Sequence, residues 1–123
     1  MYYIYIVRCA DGSHYTGITT DPARRMREHL QRGAACARYT RSHPVTALDA
    51  LWQTNTRAEA SRLENYLKTL PKQQKLALID NPALLPDLLG TKLDVKAYQY
   101  IPDITLDTLL TEKQIQRIPD IET

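Results

Sequence analysis

The stretch YYIYIVRCADGSHYTGIT, residues 2–19, decides the fold. Its first seven residues are β-branched and aromatic, which predicts a strand. Ala10-Asp11-Gly12-Ser13 carries Asp-Gly turn chemistry, and His14–Thr19 predicts the return strand, so the chain opens on a β-hairpin. Tyr3 and Tyr5 share one face of the first strand and Tyr2 takes the other. A hairpin turning at Asp11-Gly12 sets Tyr15 on the partner strand near Tyr5. The chain has eight tyrosines and no phenylalanine. Tyrosines are good strand formers, and periodicity alone favours reading them as surface strand residues.

Working outward, a helix follows at once. Asp21 suits the N-cap, Pro22 the first helical position and Gly33 the C-terminal stop. Met26 and Leu30 supply its apolar stripe, and Arg24, Arg25, Arg27 and Arg32 make it strongly basic. GAACARYTRSHP (33–44) has loop composition. VTALDALWQT (45–54) alternates imperfectly and predicts a third strand. Thr56 with Glu59 forms a capping box that opens a second helix, with Ala60, Leu63, Leu67 and Leu70 facing the core. Pro71 ends or kinks it, and Gln73–Asp80 resumes for a turn or two. After Asn81-Pro82 the chain becomes proline-rich with short apolar pieces and acidic spacers, which predicts a small appendage packed on the main domain. YIPDI (100–104) and RIPDI (117–121) echo each other, but one echo is not a repeat.

At 123 residues, 43% apolar and 24% charged, the composition is that of one globular domain with a tail and excludes disordered and fibrous classes. No apolar run reaches the roughly 18 residues of a membrane span. The N-terminus lacks a basic leader, so no signal peptide is expected. Cys9 and Cys36 are too few for a disulfide framework or zinc site, and a cytoplasmic protein with reduced thiols is expected. The net charge of +2 is unevenly spread. Residues 1–76 hold twelve Lys/Arg against six Asp/Glu, and 77–123 hold four against eight, together the 16 and 14 of the chain. A basic body is the footprint of a polyanion binder.

Arg25 and His29 lie one turn apart on one helix face, where a cation and an imidazole can grip a phosphate and move protons; on spacing alone a solvated face with an ordinary histidine is the favoured reading. Glu64 sits at the edge of the apolar stripe, either aimed into a cleft or paired with Lys68 at i+4. The loop residues Arg38, Tyr39, Arg41 and His43 mix charge with an aromatic ring, which suits unpaired bases and their phosphates.

In order, Tyr3-Ile4-Tyr5, Tyr15-Thr16-Gly17, Arg25, His29 and Glu64 resemble the GIY-YIG nuclease family. VRCADGSHYTGITTDPARRMREH (7–29) and Tyr39-Thr40-Arg41 look like its small stand-alone bacterial members. The resemblance covers about residues 1–80 as a nuclease domain and leaves 81–123 as an acidic C-terminal extension without an assigned role. Tyr3 stands where the family name has glycine and Thr16 where it has isoleucine. After the glutamate helix the chain reads Pro71-Lys72-Gln73-Gln74, where many members carry an asparagine.

The resemblance implies an α+β fold, a three-stranded, mostly antiparallel sheet flanked by helices. It implies a metal-dependent endonuclease that hydrolyses DNA phosphodiesters, with Glu64 as the protein's one ligand to Mg²⁺ or Mn²⁺. Arg25 then offsets charge on the phosphoryl oxygens. Tyr5, with Tyr15 beside it, activates or orients the attacking water. A free phenol is ionised only about once in a thousand near pH 7, so a cation must lower its pKa or the proton must pass to His29. Gly17, Arg24, Arg38, Tyr39 and Arg41 are the expected nucleic-acid contacts. Single-stranded or branched DNA is the expected partner, with no membrane and no small-molecule cofactor. DNA repair, recombination and uptake are all compatible processes. A different class, a nucleic-acid-binding module with weak or lost cleavage, is the alternative that the missing asparagine motivates.

Overall fold

The computed structural model describes residues 1–111. Strands β1 (Tyr2–Cys9) and β2 (His14–Thr19) form the opening hairpin, with Gly12 at φ 84° in its turn. β3 is Val45–Thr54, and a two-residue β4 is Gln99–Tyr100. The sheet runs β2-β1-β3-β4 with every neighbouring pair antiparallel. It therefore has four strands where three were expected. The fourth comes from the segment beyond residue 80 and is too short to show any alternation in the sequence.

The imperfect alternation of β3 has a structural cause. Its pairing with β1 shifts register between Ile6 and Val7 and again between Arg8 and Cys9, leaving Asp49 and Thr46 without partners opposite. Both extra residues are put to use, as bulged residues often are. Asp49 lies 3.0 Å from the His14 ring nitrogen, and the Thr46 hydroxyl donates to the Arg8 carbonyl.

Each sheet face buries its own cluster. On one side Ile4, Ile6, Ala50 and Trp52 pack under α3 (Arg57–Thr69), which contributes Ala60, Leu63 and Leu67, and under α4 (Lys72–Asp80), which contributes Leu78. The Thr56 hydroxyl accepts from the Glu59 backbone N–H to cap α3, as its sequence predicts. On the other side Tyr5, Val7 and Leu51 pack against Met26 of α1 (Pro22–Gln31). Asp21 caps α1, but the left-handed position at its end belongs to Arg32 (φ 55°) rather than Gly33. The Arg32 guanidinium donates to the Arg41 carbonyl at 2.9 and 3.0 Å. The buried residues of α1 are Ala23, Met26 and His29, while Leu30 is 40% exposed. The stripe thus turns the imidazole inward in place of the leucine. The stretch with loop composition contains a short helix, α2 (Arg38–Ser42).

Beyond residue 80 the chain keeps packing on the sheet. Leu85 and Leu89 of α5 (Leu85–Leu89), with Leu93, are buried among Trp52, Leu63 and Leu67. The Tyr98 hydroxyl donates to the Glu59 carbonyl at 2.6 Å, and the Ile101 N–H donates to the Leu51 carbonyl. Ile101, Ile104, Leu106 and Leu109 then cross to the opposite cluster. The second YIPDI-like segment lies outside the described residues. Leu89→Ala should lower the unfolding free energy by about 2–5 kcal/mol, the range for a fully buried leucine. Urea denaturation measures this directly, and an unchanged midpoint would mean that the late segment adds nothing to the core.

Candidate active site

The register of the hairpin places Tyr5 opposite Gly17. Tyr5 is 1% exposed, its ring lying directly over the glycine. A Cβ at Gly17 would meet the Tyr5 hydroxyl and come within 2.6 Å of Cζ. Gly17 is thus required by the tyrosine it faces, a steric reason independent of any DNA contact. Gly17→Ala should expel the Tyr5 ring and destabilise the protein by about 1–3 kcal/mol, as overpacking does. A chemical-denaturation titration checks this.

α1 delivers the partners of that phenol. The Tyr5 hydroxyl lies 2.7 Å from His29 Nε2 and accepts from Arg25 Nε at 3.4 Å. His29 is fully buried, so the solvated-face reading of that helix does not hold. Its Nδ1 lies 2.6 Å from the Thr40 hydroxyl on α2. Arg25 also donates from Nη1 to Glu28 and to the Ala35 carbonyl, both at 2.7 Å, which fixes its guanidinium at the mouth of the site. Tyr15 completes an aromatic corner, with its ring centroid 6.4 Å from Tyr5 and 5.7 Å from His29.

α3 supplies the carboxylate. The Glu64 side chain is 18% exposed and pairs with Lys68 at 3.3 Å, while Lys68 Nζ also lies 5.8 Å above the Tyr15 ring. The i,i+4 pair with Lys68 is thus present, beside the Tyr15 ring. The charge of Glu64 reaches Tyr5 and works against its ionisation. Among the described residues no three His, Cys, Asp or Glu side chains gather to hold a metal. A single half-buried carboxylate is a donor set that suits Mg²⁺ or Mn²⁺, which complete their shells with water and phosphate oxygens, and not tetrahedral zinc.

Burial raises the Tyr5 phenol well above its ordinary value of 10, although the Arg25 hydrogen bond and charge pull the other way. Tyr5 is therefore a neutral phenol, and a pre-formed phenolate is not its resting state. Partial burial would by itself lower Arg25, but hydrogen bonds to Glu28 and Tyr5 outweigh this and raise it, so it remains charged. Burial, helped by the nearby Arg25 charge, pushes His29 down from 6.5 to about 4. Between those values the unfolded chain binds a proton on this ring that the folded chain does not, so stability falls as pH drops from 6.5 to 4. The loss should be about 3 kcal/mol across that window. Denaturation at pH 7 and pH 4 should show the wild type losing that much more than His29→Gln; equal losses would contradict a buried neutral imidazole.

The remaining predicted contacts surround this centre. Tyr39 stacks on Tyr15 at 6.0 Å and on His43 at 4.0 Å, leaving a 36% exposed ring beside the site. Arg38 is exposed on the same short helix. Arg41 is exposed and donates to the Ala34 and Cys36 carbonyls, holding the loop together. Arg24 and Arg25 line a cleft of about 280 Å³ with Arg57, at the start of α3. Sequence reasoning missed Arg57, Thr40 and Cys36. Thr40 lies within the family-like Tyr39-Thr40-Arg41 stretch, but nothing there marks a buried hydroxyl, and Arg57 and Cys36 carry no periodicity or motif.

Two tyrosines, a histidine and an arginine thus meet beside the hairpin, with the charge of a carboxylate from α3 reaching them. The family model described as the GIY-YIG catalytic domain matches residues 1–77, and this chain belongs to that family. It is 40% identical over 81 residues to the UPF0213 protein FN1575 of Fusobacterium nucleatum, covering 66% of this chain and 79% of that protein. It is 44% identical over 85 residues to a UPF0213 protein of Xanthomonas campestris pv. campestris, covering 69% and 81%. The solution NMR structure of the UPF0213 protein BH0048 from Bacillus halodurans is similar at 40% identity and a TM-score of 0.43, over 65% of this chain and 84% of that one. No helix among the described residues is long and apolar enough to cross a membrane.

Proposed function

We propose that this chain is a metal-dependent endonuclease that hydrolyses DNA phosphodiester bonds, with single-stranded or branched DNA favoured. The observation that carries this reading is the Tyr5 hydroxyl, held between Arg25 Nε and His29 Nε2 and within the field of Glu64. Mg²⁺ or Mn²⁺ held by Glu64 would help neutralise the charge that builds on the phosphoryl oxygens. Arg25 supplies the second positive charge there, already oriented by Glu28 and Ala35, so little reorganisation is needed during reaction.

A neutral Tyr5 cannot act as a free phenolate. It accepts a proton from the attacking water as its own proton passes to His29 Nε2, and the two transfers leave the phenol neutral. The neutral resting state of His29 leaves Nε2 able to receive that proton. Tyr15 and Lys68 wall the other side. The exposed Tyr39 ring, beside Arg38, supports a preference for strands whose bases are free to stack. Arg24 and Arg57 offer the backbone a basic path out of the site. A DNA substrate and the free thiols of Cys9 and Cys36 support a cytoplasmic location. Residues 81–123 are proposed as an extension that serves the domain structurally, since its described part supplies core leucines and a strand.

The test is cleavage of labelled single-stranded, duplex and flapped DNA in Mg²⁺, Mn²⁺ or EDTA. Glu64→Ala should abolish metal-dependent cutting while DNA binding persists, and Tyr5→Phe should cost about 10²- to 10⁴-fold in rate, as loss of a proton-transfer group does. Salt-sensitive binding without cutting in the wild type would instead establish the binding module, with Pro71-Lys72-Gln73-Gln74 in place of the asparagine as its sequence correlate.

A further inference from the structure

We propose that Thr40 is a positioning residue that locks His29 in the tautomer with its proton on Nδ1, so that Nε2 faces Tyr5 as an acceptor. The inference rests on the Tyr5–His29 relay of the proposed function, but its geometry stands independently. Thr40 is fully buried on α2, with its hydroxyl 2.6 Å from His29 Nδ1, 3.0 Å from Cys36 Sγ and 3.3 Å from the Ala37 carbonyl. The Ala37 carbonyl, which also accepts from the Arg41 backbone N–H, can take the Thr40 proton. A lone pair of the hydroxyl is then left for His29 Nδ1–H, while the Cys36 thiol donates to the His29 carbonyl at 3.8 Å.

The other end of the ring gives the same answer. The Tyr5 oxygen already accepts from Arg25 Nε, and among its described partners His29 Nε2 is the only group that can accept the phenolic proton. With the opposite tautomer, Nε2–H would donate to Tyr5 and the phenolic O–H would be left without an acceptor inside the protein. A buried donor left unsatisfied costs roughly 1–3 kcal/mol. The proton order Tyr5 O–H to Nε2, Nδ1–H to Thr40 and Thr40 O–H to Ala37 gives each of these three donors an acceptor. That order also runs in the direction the relay needs, since a ring already protonated on Nε2 could take nothing from Tyr5. Thr40 does this without touching substrate, which separates its role from that of His29.

The experiment is ¹⁵N NMR of the His29 ring in the full-length wild-type protein near pH 7, with Thr40→Ser, Thr40→Val and Cys36→Ala, alongside cleavage kinetics. The wild type should show a protonated Nδ1 and a pyridine-like Nε2. Thr40→Ser and Cys36→Ala should keep that pattern and the wild-type kcat. Thr40→Val, which removes the acceptor at nearly constant shape, should lose the pattern and lower kcat about 10²-fold with KM unchanged. A wild-type ring protonated on Nε2 overturns the proposal without any variant having to fold. So does a Thr40→Val protein that keeps both the Nδ1–H ring and its rate, or a Thr40→Ser protein that loses them. If the wild type cuts no DNA, the nuclease reading fails, while the ring nitrogens still decide the tautomer.

Discussion

The structure depends on a phenol held in the interior. Tyr5 sits on β1, an inner strand of the sheet, with 1% of its surface exposed, and its hydroxyl must be hydrogen-bonded there or the fold bears the cost of desolvating it. That requirement reaches a long way along the chain. It needs a residue without a side chain at position 17, because any Cβ would occupy the ring's space. It needs α1 to turn an imidazole inward where the sequence offers Leu30 for the same job. It then needs α2, a five-residue helix in a stretch with loop composition, to bring a hydroxyl to the far side of that imidazole. Each buried polar group passes the requirement to the next, until the line ends at the Ala37 carbonyl.

Burial also sets the chemistry. The Tyr5 phenol is pushed up and the His29 imidazole down by the same loss of solvent, so both rest neutral over a wide pH range. A pair of neutral partners 2.7 Å apart can pass a proton without either holding a charge at rest. Arg25 is the fixed cation of the centre, and its bonds to Glu28 and Ala35 orient it before any anion arrives. Removing Arg25 would therefore take away both the fixed charge and the Tyr5 hydrogen bond.

Local signals made much of this legible. The hairpin, the Asp21 and Thr56 caps and the Leu63–Leu67 stripe are short-range patterns, and the structure has them where the residues put them. The ordered Tyr5, Tyr15, Arg25, His29 and Glu64 converge even though each alone has an ordinary explanation. What sequence could not show depends on tertiary context. The alternation of β3 is broken by two bulges whose existence depends on its pairing with β1. β4 is two residues long and forms because the late segment is already packed through Leu85, Leu89 and Leu93. Leu30 and His29 compete for one inward position, and hydrophobicity favours the wrong one, because only the presence of Tyr5 and Thr40 makes an imidazole welcome there.

The placement of the site follows from which sheet edge is left open. β4 and the late segment pair with the outer side of β3, so that edge is occupied, as exposed strand edges usually must be. β2 remains the free edge. Its two neighbours pack on opposite faces of the sheet: α1, with Met26 beside Tyr5, on one, and α3, with Leu63 and Leu67 beneath Ile4 and Ile6, on the other. Groups from the two layers can meet only around a free edge, since the sheet itself separates them elsewhere. Gly17 lies on that edge strand and carries no side chain, so the Tyr5 ring from the middle of the sheet extends across it. Lys68 of α3 reaches Tyr15 on the same strand, and the Glu64 charge is felt at Tyr5 on the α1 side. A basic helix and a carboxylate carried on opposite faces can thus approach one point without sharing a layer. A second strand outside β2 would close this opening, so the added strand of this fold is compatible with the site only on the β3 side, where it lies.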